Sequence, residues 1–587
     1  MLGYLVKYSE FFGIPAPENP LDLIRDIPKE ELIVTIAGIN AKLKPLTSVK
    51  SDQSRTTQIE SLRLIFIDNH KPLAESICVP LIRHYMAMPA NYNLFSRVTC
   101  LHAIQEITNS DDFTEQVPQY SYMNRENIFR FLLISNEQIL TGDKNYKEEG
   151  YNELGLDFFE FFGFRELHHN QYNETSNFLN ILYKSFYLFD KIESDYFYGQ
   201  HFRNFLTWNY NVESTNDFLK HLLGSTIASN DEKLGLRYIN VRKDNTEAVK
   251  VLDAFSVREK ENYAKDDLRV FDFLPLKKAP LFRCKEKDDK DIISYVVIDE
   301  GFYIEKSYSL FINDFWFKYL KPNNIRNREE WGSFIGSSFF EPFIEDILKE
   351  SFSKTPSTVL RSSSELLFNI EGRPIEYADF YIRNQQKIAL LEVKSGFIPL
   401  DHGYKTVSTI EDYRLLDLNK FNKDYGLTQL AEKTIKKFHL YKKEINDPSF
   451  NLDRKVQIYP VLVVNDPIIS SGIFPFVLKR KFNDLLAKEG VSKKEKRHLI
   501  TDLCIINIAH LQELEENLKN KKVEFFAVLD LYLLMSDSSN KANYKGYKFL
   551  RNFDHVLNFK LKDNLISSRV LNYFLRENRY APSDSES

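Results

Sequence analysis

Residues 376–396 read EYADFYIRNQQKIALLEVKSG, and within them Asp379 is followed, after twelve residues, by Glu392-Val393-Lys394. The glutamate and lysine close an apolar run, KIALLEVK, where a buried strand ordinarily keeps charge out. Side chains two apart on a strand share a face, so Glu392 and Lys394 point the same way. A polar turn at Arg383–Gln386 folds Asp379 back alongside them. Two carboxylates so placed repel unless a cation sits between them, and hard oxygen donors suit Mg²⁺ or Mn²⁺. The expected ligands are Asp379, Glu392 and the backbone carbonyl of Val393. Such an ion polarises a phosphodiester and lowers the pKa of a bound water. The Lys394 ammonium then orients that water or stabilises the charge building on the phosphate. The competing expectation is a solvated charged pair at the exposed end of a strand, bridging to Asp379. Glu-x-Lys occurs once in the chain, and the Asp-x-Lys look-alikes at Asp231, Asp288 and Asp453 lack a paired upstream strand.

The elements around this stretch alternate. A helix over 329–352 precedes strands at about 377–382 and 387–394; a helix over 427–445 precedes a strand over 456–465; a strand over 499–508 leads into a helix over 509–518. The order α-β-β-α-β-β-α calls for a mixed sheet flanked by helices. Residues 1–250 are mainly helical in pattern, with three- and four-residue apolar spacing in 59–85 and 176–192. The weakly periodic, charged stretch 227–250 reads as a boundary or surface loops. Residues 251–324 form a mixed connecting segment with a hairpin across a charged turn at 285–291. A domain over 325–534 follows, then a helical extension over 535–587 with a disordered tail.

Asp379, Glu392 and Lys394 resemble the signature of the PD-(D/E)xK nuclease superfamily, the restriction-endonuclease-like fold, over about residues 325–520. Ala378 stands where the superfamily name has proline. The resemblance implies a Mg²⁺-dependent deoxyribonuclease in an α/β restriction-endonuclease-like domain behind a helical N-terminal half. It implies two supporting residues: Glu341 in SSFFEPF, as an acid near the metal on the first core helix, and Gln429 in YGLTQL, as an amide holding phosphate or water. Lys433 shares the face of Gln429 one turn on, and with Lys436, Lys437, Lys442 and Lys443 it forms either a phosphate-facing stripe or a solvated face. His168-His169 and Asp401-His402 read as exposed loop and turn residues.

Composition sets the outer limits. The chain has 587 residues, 43% hydrophobic and 27% charged, with a net charge of −5, so any nucleic-acid surface must be local. Four scattered cysteines without a CxxC pair argue against a zinc knuckle or a disulfide framework. Aromatic residues make up 14% and read first as core filling. No leader or membrane span is expected, and the cytoplasm fits best. No GxxxxGK[ST] loop or Gly-x-Ser-x-Gly elbow occurs. The expected partner is DNA. The first half is left to a regulatory or recognition partner, a homo-oligomer is left open, and bacterial defence against phage or foreign DNA follows only by association. The alternatives are an RNase using the same site and a non-catalytic binding or scaffold protein with a nuclease-like core.

Overall fold

The computed structural model describes residues 4–44, 52–66, 71–110, 113, 122–141, 158–165, 167, 178–215, 217–219, 230–231, 236–257, 273–284, 291–365, 367–370, 373–376, 378–398, 403–405, 407, 410–441, 447, 450, 454–494, 498–545, 548–561 and 566–576. The chain divides into two compact units: residues 1–153 with 175–323, and 154–174 with 324–578. The result is a multidomain layout, helical in the first half and mixed α/β in the second. Among the described residues no helix is long and apolar enough to cross a membrane.

The first unit is built on helices Lys29–Leu43, Arg55–Ile65, Arg97–Thr108, Phe178–Ser194 and Tyr198–Tyr210, among others. Its aromatic residues fill a core: the ring of Phe311 lies 4.7 Å from that of Phe189 and 5.6 Å from that of Phe202. A buried Arg97 guanidinium donates to Asp299 at 2.6 and 2.8 Å, and Asp299 caps the helix Glu300–Glu305. Within the weakly periodic stretch 227–250, the described residues include two strands and the start of a helix. Leu236–Arg242 is a strand pairing antiparallel with Ile292–Val297, which in turn pairs with Leu281–Arg283. Ile239 is buried while Asn240 and Arg242 face solvent, so the strand's carboxyl half alternates between a dry and a wet face. Sheet pairing therefore joins the chain on both sides of residue 250, and the first unit runs on to residue 323.

The second unit contains one excursion from the first half, α1 (Phe158–Arg165), and then the elements of the sheet. A continuous helix, α2, spans 328–352. Strands β1 (Thr358–Ser362), β2 (Phe380–Asn384) and β3 (Lys387–Lys394) precede helix α3 (427–441). Then come β4 (Val456–Val464), α4 (Phe474–Lys488), β5 (His498–Ile500), β6 (Cys504–Asn507), α5 (Ile508–Lys519) and α6 (Phe525–Met535). The sheet order is β5-β4-β3-β2-β1, with β6 also pairing with β4. Strands β1, β2 and β3 run antiparallel; β3, β4, β5 and β6 run parallel.

Strand β3 is central. Its six inner residues are all buried, which explains the nearly unbroken apolar run. Asn384 pairs with Lys387, leaving a two-residue turn in which Gln385 takes φ +54°. The strand expected at 499–508 is two pieces, because the partner offset along β4 grows by one residue between Ile458–Ile500 and Val461–Cys504. One face of the sheet carries α3. On the other, Asp530 of α6 accepts from Tyr459 at 2.5 Å and pairs with Lys387 at 2.7 Å, and Phe352 of α2 meets Phe525 at 5.8 Å. Residues beyond 534 thus continue a unit to which α6 is already tied.

At the far end of the Glu392 face, Arg383 forms a bidentate pair with Asp447 (Nε 2.5 Å, Nη2 2.9 Å), both residues buried. Arg383→Ala leaves the buried Asp447 carboxylate only the Tyr381 hydroxyl at 3.1 Å and no counter-charge, so a loss of about 3 kcal/mol is expected in urea unfolding. A change under about 1 kcal/mol would mean that Asp447 is solvated by other groups.

Candidate active site

Glu392 is 1% exposed, in a strand covered on both faces. Its Oε1 lies 2.8 Å from the Lys394 ammonium, and Lys394 Nζ also donates to Gln429 Oε1 at 3.1 Å. The two charges expected to share a face therefore do, and the glutamine from the next helix joins them. This is not a solvated pair at a strand end. Lys394 is the outward member, its side chain 21% exposed.

Asp379 approaches from the strand end. Its N–H donates to the Leu391 carbonyl at 3.1 Å, and its Oδ2 accepts the Val393 N–H at 2.6 Å. It thus grips the residues on either side of Glu392. The Val393 amide gives its proton to Asp379, and because N–H and C=O of one strand residue share an edge, the Val393 carbonyl points to the same edge.

The polar residues gather at the carboxyl ends of parallel strands, where open α/β sheets place their sites. Lys394 pairs in register with Val464, and Val464 with Asn507. Just past these ends the Asn465 N–H donates to the Lys394 carbonyl at 2.9 Å, and its Nδ2 donates to the Ser395 carbonyl at 3.0 Å. Buried Asp466 accepts the Ile398 N–H at 2.8 Å and lies 3.8 Å from Lys405. The Tyr425 phenol, buried near Asp466, is pushed well above its ordinary pKa, first by desolvation and then by that charge.

Both flanking helices widen next to this edge. In α3 the turn Gln429–Ile435 is π-helical, and the Lys436 N–H reaches five residues back to the Ala431 carbonyl. In α2 the turn Phe334–Phe340 is π-helical, with the Glu341 N–H donating to the Gly336 carbonyl. Pro342 follows at once and supplies no N–H, so the helix passes through it by widening the preceding turn. A Cβ on Gly336 would stand 3.3 Å from Ser395 Oγ, which marks where α2 meets the sheet edge.

Glu341 is half-buried and opens the α-helical stretch one wide turn after Gly336. Among the described residues no three His, Cys, Asp or Glu side chains are gathered closely enough to hold a metal ion. The donors nevertheless fit a divalent cation chemically: the Asp379 and Glu392 carboxylates and the Val393 carbonyl are all hard oxygens.

The lysine stripe divides. Lys436 is paired with Glu489 at 2.6 Å and Lys437 is half-buried. The Lys433 side chain, Lys442, Lys443, His168-His169 and Asp401-His402 lie outside the described residues. Sequence reasoning missed Gly426, whose backbone lies against Lys394 and Glu392; its only signal was a glycine immediately before a helix. No protein-family model, curated protein or solved structure matches this chain.

Removing Lys394 leaves Glu392 buried beside a vacated cation position. Because the lysine is partly exposed, Lys394→Ala is expected to cost about 2 kcal/mol, less than for a fully buried pair. Calorimetric melting of Lys394→Ala beside Lys394→Met with Glu392→Gln checks this, the paired variant recovering most of the loss. An unaltered Lys394→Ala melt would show that the pair does not stabilise the fold.

Proposed function

We propose that the second unit is a metal-dependent nuclease of the PD-(D/E)xK kind, hydrolysing phosphodiester bonds of DNA. The observation that carries this is the buried Glu392 on a central strand, linked through Lys394 to Gln429 and flanked by Asp379. A carboxylate in an apolar strand is costly, and a hydrophobic residue there would serve packing better. Catalytic groups with shifted environments are a common reason for keeping one.

Asp379, Glu392 and the Val393 carbonyl would hold Mg²⁺ or Mn²⁺, which supplies Lewis-acid polarisation of the phosphodiester. The remaining work falls to the chain. Lys394 presents its ammonium at the strand end, where it can meet a phosphate oxygen or align an attacking water. Gln429 fixes the direction of that ammonium. Glu341 would approach from the α2 side of the edge, and Lys433 and Lys437 would contact the nucleic-acid backbone without reading bases.

A second reading has its own support. The Glu392–Lys394 contact neutralises the glutamate within the protein, as in a nuclease-like core kept only for binding or scaffolding. Incubating the full chain with linear DNA, circular DNA and RNA, in Mg²⁺ and in EDTA, separates the two. DNA cleavage in Mg²⁺, abolished by EDTA and reduced by at least about 10³-fold in Asp379→Ala, Glu392→Ala and Lys394→Ala, is expected. Cleavage of RNA alone changes the substrate; equal cleavage in EDTA removes the metal mechanism; binding without cleavage by the wild type favours the scaffold.

A further inference from the structure

Gly426 ends the turn before α3 with φ +79°. A Cβ there would stand 2.6 Å from Lys394 Cε, 3.2 Å from Lys394 Cγ and 3.1 Å from Glu392 Cγ. The left-handed backbone favours glycine, and a Cβ there would force the Lys394 side chain to shift. The turn is held on both sides: the Tyr425 phenol donates to the Phe397 carbonyl at 3.4 Å and packs on Phe421 at 4.5 Å, and the Leu430 N–H donates to the Gly426 carbonyl at 2.8 Å.

We propose that Gly426 is a positioning residue, its bare Cα confining the Lys394 stem so that the ammonium sits between Glu392 and Gln429. This rests on reading Asp379, Glu392 and Lys394 as a hydrolytic centre. The lysine stem is a flexible four-carbon chain that ordinarily samples many rotamers. Here the sheet lies beneath it, the Gly426 backbone lies against two of its carbons, and the Glu392 charge and the Gln429 acceptor hold its tip. A catalytic cation so confined is preorganised, and displacing it by about 1 Å can cost about 10²-fold in rate.

A second glycine separates crowding from backbone strain. Gly490 also has positive φ, +70°, but nothing lies within 4 Å of where its Cβ would be. Gly426→Ala and Gly490→Ala therefore share the backbone penalty, and only the first crowds Lys394. Gly426→Ala is expected to lower the melting temperature further than Gly490→Ala, with most of that excess recovered when Lys394→Ala is combined with it. Equal drops, or an excess that persists in the Lys394→Ala background, overturn the proposal. In cleavage assays kcat of Gly426→Ala should fall about 10²-fold with KM within about 2-fold, while Gly490→Ala turns over as the wild type. Wild-type kcat in Gly426→Ala also overturns it. If Gly426→Ala fails to fold, recovery of folded protein in the double variant supports the contact and continued failure refutes it. A wild type that cleaves no nucleic acid defeats the hydrolytic reading alone, and the stability comparison still decides whether Gly426 holds Lys394.

Discussion

Burying a carboxylate in the central strand is the constraint on which the second unit's arrangement depends. Glu392 lies among Leu390, Leu391 and Val393, all buried, with strands on both sides and helices over both faces. Such a charge needs a counter-charge close by, and Lys394, two residues on and on the same face, supplies it. The lysine needs a direction, and Gln429 supplies that. The glutamine needs to begin a helix directly above the strand end, which the tight approach at Gly426 allows.

The surrounding structure serves the same edge. The Asn465 backbone and side chain tie down the chain at Lys394 and Ser395, and Asp466 catches the Ile398 amide as the chain leaves the sheet. Helix α1, drawn from the first half of the sequence, packs Phe164 against Phe421 at 5.1 Å and against Phe474 at 5.2 Å. Glu160 of the same helix meets both Tyr413 and Lys481. Phe421 in turn packs on Tyr425, so a piece of the N-terminal half helps to set the turn that lies over the lysine.

The strand pattern and the Glu392–Lys394 pairing were legible because period-two alternation and apolar runs encode them directly. Gln429 was reached only through resemblance, yet it lies within hydrogen-bond distance of Lys394. Other features resisted for physical reasons. β1 has no fully buried residue, so its sequence lacks a core signature. The strand at Leu236–Arg242 has exposed Asn240 and Arg242 beside buried Ile239 in a charged stretch, and reads as loop. The wide turns in α2 and α3 depend on which carbonyl each amide finds, and local spacing cannot fix that. The role of Gly426 is a tertiary contact between residues more than thirty apart, invisible to periodicity.

The most direct measurement of the central claim is Mn²⁺ binding to the full chain followed by electron paramagnetic resonance. A single saturable site is expected in the wild type, lost in Asp379→Ala and in Glu392→Ala and retained in Gln429→Ala, since the amide touches the lysine rather than the expected ligands. Absence of a saturable site in the wild type, or undiminished binding in Glu392→Ala, would contradict a metal-dependent centre on this strand.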